Sequence, residues 1–335
     1  MGGPTAGNNC RGTVSMNVTR PKIVSLEHTD AARSKLLVVD WNVGNRCNYR
    51  CSYCPKYLHD GTLWQQDAAQ AHRFVDAVSE WSSGTGRQVH FQWTGGEPTL
   101  WEPLQSSASR AVNLGHTVGI ISNATRPRAW WERLGPVWRE VTLTYHIEYS
   151  DYDKFVSVLN FLTAFCSVHV NFTMLPDRFE ETRHIAVRLT EEHRDVTATL
   201  KPLLVSFKNE LYPYEDEQLD TLKTYRFSTR TAAKQDRTCS RMRVAYEDGT
   251  QNTVEASRMV ATRANRFLGF SCAAGIELLV VHGNGDLFRA NCREGGNLGN
   301  ICGTFSLPEG PIAICTRHAC SCLVDIAVTK RRVEN

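Results

Sequence analysis

Residues 36–54 read Leu-Leu-Val-Val-Asp-Trp-Asn-Val-Gly-Asn-Arg-Cys-Asn-Tyr-Arg-Cys-Ser-Tyr-Cys. The first six, Leu36 to Trp41, are a short apolar, β-branched run of the kind that forms a strand. A loop carrying Cys47, Cys51 and Cys54 follows its C-terminal end. Three thiolates so close together can converge on one metal centre, because soft sulfur suits iron–sulfur clusters and zinc. A closed zinc site wants four protein ligands, and the nearest extra candidate, His59, lies past Pro55. A cubane held by cysteines also normally takes four. With three, one iron stays open for a small chelating ligand.

A second strand, Val89-His90-Phe91-Gln92-Trp93, alternates in polarity and leads into Gly95-Gly96. Paired glycines let a backbone approach a ligand closely and take φ > 0. Both motifs then sit at C-terminal strand ends, where parallel α/β barrels build their active sites. Taken alone, Gly95-Gly96 reads equally as a tight turn with Glu97 in solvent.

The Cys-x3-Cys-x2-Cys spacing, with Tyr53 just before the third cysteine, resembles the signature of the radical S-adenosylmethionine superfamily. Thr94-Gly95-Gly96-Glu97-Pro98 resembles that family's Gly-Gly-Glu-Pro element, and Ser122-Asn123-Ala124-Thr125 stands where the family has a ribose-contacting strand end. The resemblance implies a 4Fe-4S cluster on Cys47, Cys51 and Cys54, its open iron holding the methionine moiety of S-adenosylmethionine. It also implies reductive cleavage to a 5′-deoxyadenosyl radical that takes a hydrogen atom from substrate. Tyr53, Gly95, Gly96, Glu97, Pro98, Ser122 and Asn123 become the cofactor-binding candidates, Glu97 and its backbone toward the methionine amino group. His146 and Glu148 end another strand facing the same site, as substrate or nucleoside contacts or as structural hydrogen bonds.

Length and composition bound the rest. The chain has 335 residues, a net charge of +3 and twelve cysteines. Its one basic cluster, Lys330-Arg331-Arg332, reads as a solvated end, so no nucleic-acid footprint is expected. No apolar run reaches the ~20 residues of a membrane span, and the first 25 residues lack a signal-peptide core. Cysteines without a secretion signal argue for metal ligation in a reducing cytoplasm.

From 35 to 205 strands and helices alternate. Strands are expected at 36–41, 89–93, 117–121, 141–145, 168–172 and 196–200. Ala71, Phe74, Val75, Val78 and Trp81 share one helical face. Ser150 with Asp153, and Asp177 with Glu180, read as helix N-termini. Six strands alternating with helices imply a parallel sheet with right-handed crossovers, the α/β, partial (β/α)6 TIM-like barrel that the resemblance also implies. The expected division is a loosely ordered N-terminal extension over 1–34, the barrel over 35–236, and a small cysteine-rich β-hairpin/helix extension over 237–335.

In that last third, Cys272 precedes the strand Leu278-Leu279-Val280-Val281, and Cys292 follows the next one, so a hairpin brings both thiols to one end. Cys315, Cys320 and Cys322 follow. The pattern resembles the Twitch or SPASM extension of the same family, which implies an auxiliary iron–sulfur cluster. One cluster is favoured, on Cys272, Cys292, Cys315 and either Cys320 or Cys322. Zinc is the competing metal. Cys302 serves equally as a small buried thiol.

The resemblance implies a cytoplasmic oxidoreductase or epimerase acting on a small polar, carbohydrate- or aminoglycoside-like substrate, with a flavodoxin or ferredoxin as electron donor. An epimerase needs a thiol hydrogen donor, for which Cys166 and Cys239 are candidates; both also read as inert buried thiols. Asn171, Met174 and Lys201 end later strands on the same rim, facing substrate or merely packing. A peptide maturase is the alternative enzyme, although the short segment before the first barrel strand is small for a peptide-recognition domain. A zinc-stabilised binding module is the non-catalytic alternative.

Overall fold

The structure is a computed structural model that describes residues 21–63, 65–207, 210–227, 241–312 and 314–333. In chain order its strands are β1 (Ile23–His28), β2 (Leu36–Asn42), β3 (Gln88–Thr94), β4 (Thr117–Ser122), β5 (Glu140–Tyr145), β6 (Ser167–Met174) and β7 (Thr197–Pro202). Then come β8 (Arg241–Tyr246), β9 (Gln251–Glu255), β10 (Phe270–Cys272), β11 (Leu278–Val281), β12 (Asp286–Phe288), β13 (Asn297–Asn300) and β14 (Lys330–Arg332).

Strands β2 to β7 pair in sequence order and all in parallel. Between them run the helices Ala68–Thr85, Leu104–Asn113, Arg128–Leu134, Tyr152–Thr163 and Phe179–Glu192. Alternation along each strand decides which residues meet the helices. Leu37, Val39 and Trp41 pack with Phe74, Val75 and Val78 in the main core. Val141, Leu143 and Tyr145 of β5 and Val168, Val170 and Phe172 of β6 join the same core. The intervening residues face inward, and most are polar. This is the expected α/β partial barrel.

The C-terminal third is built into it. β11 runs parallel to β2, with Leu278 opposite Val38 and Val280 opposite Asp40. The sheet thus has nine strands in the order β13-β12-β11-β2-β3-β4-β5-β6-β7. The lower inner face of β2, Leu36 and Val38, packs on Cys272, Leu278, Val280 and Ala290. A boundary near residue 236 therefore cuts through a continuous sheet. Asp248-Gly249 turns the antiparallel hairpin of β8 and β9.

A second, antiparallel sheet has the order β10-β14-β1-β8-β9. The expectation of loose order up to residue 34 is corrected for β1, which pairs with both β8 and β14. Two helix starts are corrected as well. Asp151, not Ser150, caps Tyr152–Thr163 by accepting from the Lys154 amide; Ser150 instead accepts from the His146 amide. Asp177 sits in the short turn Pro176–Arg178, and the next helix starts at Phe179 without a side-chain cap. No helix among the described residues is long and apolar enough to cross a membrane.

Candidate active site

The cysteine loop leaves β2 and is stitched to the end of β3. Val43 donates to the Thr94 carbonyl (3.0 Å), Gly96 to Gly44 (3.0 Å) and Glu97 to Arg46 (2.8 Å). The two glycines are needed for this contact. A Cβ on Gly95 would stand 2.5 Å from the Gly44 oxygen, and one on Gly96 2.4 Å from the Arg46 oxygen. The close approach read from Gly95-Gly96 is therefore made first to the cysteine loop itself.

Glu97 is 2% exposed. Its carboxylate accepts from the amides of Thr99 (3.1 Å) and Asn123 (2.8 Å) and from the Ser122 hydroxyl (2.9 Å). Burial pushes its pKa up, opposed by these bonds. Three of about four acceptor positions are filled, leaving one for a ligand donor. Pro98 starts the buried turn Pro98–Leu100 behind it. The Asn123 side chain donates to Asn48 (2.9 Å), and Asn48 donates to Thr125 (2.8 Å), tying the cysteine loop to the end of β4. Ala124 between them holds φ +59, a left-handed backbone unusual for a residue with a Cβ.

The third anchor lies at the end of β5. The Thr173 hydroxyl donates to the Tyr145 carbonyl (3.1 Å), so it accepts from the Tyr53 hydroxyl at the same distance. Tyr53 in turn meets His146 Nδ1, which this order makes the donor, leaving Nε2 as the acceptor. His146 Nδ1 is also 3.5 Å from Cys51 Sγ. Burial, aided by the positive charge of Lys201, lowers the His146 pKa to about 3, so the ring is neutral. Glu148 accepts from the Ser52 amide (2.9 Å) and so holds the cysteine loop directly.

Cys47, Cys51 and Cys54 stand together on this clamped loop. Burial raises Cys51 to about 12 and Cys54 to about 11, and nearby thiols add to both shifts. Such thiols become ligands once a metal centre stabilises the thiolate. Among the described residues no group of three or more His, Cys, Asp or Glu converges tightly enough for a single ion.

Cys272, Cys292, Cys315 and Cys320 form a second set. Burial raises both Cys292 and Cys320 to about 12, with smaller additions from Asp325 and from the neighbouring thiols, Cys272 and Cys315 on the first, Cys272 and Cys292 on the second. Lys330, 1% exposed, places its ammonium near Cys272 and Cys320 while donating to the Asp325, Ile326 and Val328 carbonyls. A buried cation whose ammonium bonds only to carbonyls among the described residues suits thiolates held by metal. Burial raises the pKa of Cys322, and the charges of Asp325 and Asp40 add to it. Cys302 is apart, beside Asp67 and Arg73.

Of the remaining candidates, Cys166 precedes β6 at the end of the sheet opposite the cysteine loop and donates to the Leu162 carbonyl. Cys239 lies outside the described residues. Met174 is packed in the core, while Asn171 approaches His169. Asn48 and Thr173 escaped the sequence reading, and Lys330, expected in a solvated end, is buried instead. No local motif marks them, although Asn48 lies inside the cysteine loop.

Residues 41–160 match the model of the Radical SAM superfamily. Over those residues the chain is similar to radical SAM domains, a likeness that supports a 4Fe-4S cluster and S-adenosylmethionine as its cofactors. An S-adenosylmethionine-dependent nucleotide dehydratase of Psychrobacter lutiphocae is 28% identical over 102 residues, which are 28% of this chain and 34% of that relative. The chain therefore matches about a third of the relative's length. Native anSMEcpe with bound AdoMet has the same fold, at TM-score 0.50 and 14% identity over 81% of this chain and 79% of that one. BtrN in complex with AdoMet and 2-DOIA aligns at TM-score 0.40 and 13% identity over 79% and 78% of the two chains.

Proposed function

We propose, on the premise of the likeness to radical SAM domains over residues 41–160, that this enzyme abstracts a hydrogen atom from a small polar, carbohydrate- or aminoglycoside-like substrate and epimerises it or oxidises an alcohol. The observation that carries the reading is the polar inner face of the barrel. Asp40, Gln92, Thr144, Asn171, Thr173 and Lys201 alternate with apolar residues that pack outward. Such a lining offers hydrogen bonds in every direction and little apolar surface, which suits a ligand rich in hydroxyls or amines.

With cluster and cofactor bound, the domain supplies a primary carbon radical able to take hydrogen from an unactivated carbon. The chain's own part is positional. Gly44, Arg46, Asn48 and Ser52 anchor the ligand loop to three strand ends, and Glu97 offers its remaining acceptor to the methionine ammonium. The second thiol set, Cys272, Cys292, Cys315 and Cys320, is assigned as the seat of one auxiliary iron–sulfur cluster in a Twitch-like extension. A flavodoxin or ferredoxin is the natural reductant.

The test is turnover of amino sugars and aminocyclitols by the reduced enzyme in deuterated water. Solvent deuterium at a carbon identifies epimerisation, and loss of two hydrogens identifies oxidation. If only peptides are altered, the substrate class is wrong.

A further inference from the structure

The inner face of β2 carries one charge, Asp40, above Leu36 and Val38. Asp40 is 7% exposed, and its Oδ1 has no hydrogen-bond partner among the described residues. Its Oδ2 accepts a long bond from the Asn291 amide (3.4 Å). The same amide donates to Cys322 Sγ (3.3 Å) and to Asp325 Oδ1 (3.2 Å). Across the lumen, near the end of β7, stands Lys201, level with Thr173. Asp40 and Cys322 both act on Lys201 electrostatically, yet Lys201 has no hydrogen bond or ion pair to any described residue.

A buried carboxylate oxygen without a donor and a neighbouring ammonium without an acceptor are each costly. Had the fold needed only neutralisation, the two would pair directly. Asp40 stands on β2 and Lys201 on β7 instead, without a direct bond among the described residues, and Asn291 links Asp40 to Cys322. These groups connect to both thiol sets: Lys201 acts on His146, which touches Cys51, while Asn291 adjoins Cys292. Burial raises the Asp40 pKa to about 6, so a ligand donor at Oδ1 finds a ready acceptor.

We propose that Asp40, Lys201 and Asn291, with the Cys322 thiol beside them, are the substrate-recognition subsite of the barrel, taking a ring that carries neighbouring hydroxyl or amino groups. Asp40 Oδ1 accepts from one substituent, and Lys201 Nζ donates to the oxygen of the next. Cys322 belongs to this subsite and is not an auxiliary-cluster ligand. The assignment rests on the proposed polar substrate class, and it names the residues that select it.

The test uses the full chain, reconstituted anaerobically and saturated with S-adenosylmethionine, with glucosamine and trialanine as probes in saturation-transfer NMR. Wild type is expected to bind glucosamine saturably and not trialanine. Asp40→Asn and Lys201→Met are each expected to bind glucosamine about tenfold or more weakly, the loss of one charged hydrogen bond. Cys322→Ala is expected to keep the wild-type iron content. Melting midpoints and iron content establish that each variant is folded, and should Asp40→Asn fail to fold, Lys201→Met decides. Wild-type affinity in Lys201→Met, no saturable glucosamine binding by wild type, or trialanine binding in its place overturns the subsite. Loss of about half the iron in Cys322→Ala overturns its exclusion from the ligand set. Failure of wild type to release 5′-deoxyadenosine under reduction is a separate result and counts against the radical reading.

Discussion

Gly96 lies against the carbonyl of Arg46 so closely that a Cβ there would stand 2.4 Å from the oxygen. The contact joins the Gly-Gly-Glu-Pro turn to the cysteine loop with no room for adjustment, because the obstacle is backbone. In Gly96→Ala the loop must move away from β3. Displacing a positioning element by about 1 Å costs on the order of 100-fold in rate. We expect 5′-deoxyadenosine release to fall by about that factor, measured at equal iron content. An unchanged rate would mean that the loop's position does not matter.

Glu97 joins the ends of β3 and β4 through three accepted hydrogen bonds. In Glu97→Gln the amide nitrogen must face one of those donors, at a cost of about 1–3 kcal/mol. For a chain of this size, that lowers the melting midpoint by about 1–2 °C for each kcal/mol. Affinity for S-adenosylmethionine, measured by calorimetry, is expected to drop about tenfold. Ser122→Ala, which removes one donor and leaves the carboxylate, should cost less.

Glu277 fastens the second sheet to the barrel. Burial pushes its pKa up, but bonds from His28 Nε2 (3.1 Å) and the Thr329 amide (2.9 Å) outweigh that and hold it below the usual value. A lowered folded-state pKa stabilises fully above the unfolded value, about 4.3 for Glu. The contribution is lost as pH falls through the lower folded value. Wild type and Glu277→Gln should therefore differ most in urea midpoint near neutrality, with the gap closing below about pH 4. A gap that widens on acidification would reverse the assignment.

Cys166 donates to the Leu162 carbonyl, away from the lumen, and burial raises its thiol to about 12. Cys166→Ala should leave product stereochemistry and deuterium incorporation unchanged, at a stability cost of about 1 kcal/mol. Altered stereochemistry would restore it as a hydrogen donor.

Much of this was legible in the residues. The six barrel strands announced themselves because their outward residues are continuously apolar and their boundaries carry turn residues. The thiol loop was legible because its spacing has few other uses. What stayed hidden was non-local. Leu278–Val281 reads as a strand, but nothing in four apolar residues says that it pairs with Val38–Trp41 on the far side of the chain. Asp40 reads as one residue of that same apolar run, and only the pairing shows it facing the lumen. His146 and Glu148 pointed at the site but not at their partners, since Ser52 and Tyr53 reach them only after the loop folds back. At the N-terminus of Tyr152–Thr163, Ser150 and Asp151 are both competent caps, and the His146 amide claims the serine.

The most direct measurement combines iron analysis with cofactor cleavage on protein purified and reconstituted without oxygen. Wild type should hold roughly eight irons per chain if both thiol sets carry cubanes, and it should release 5′-deoxyadenosine when reduced with S-adenosylmethionine. Cys51→Ala should lose about half of that iron and all of that release. Iron-free protein with zinc held on Cys47, Cys51 and Cys54, and no 5′-deoxyadenosine, would contradict the account.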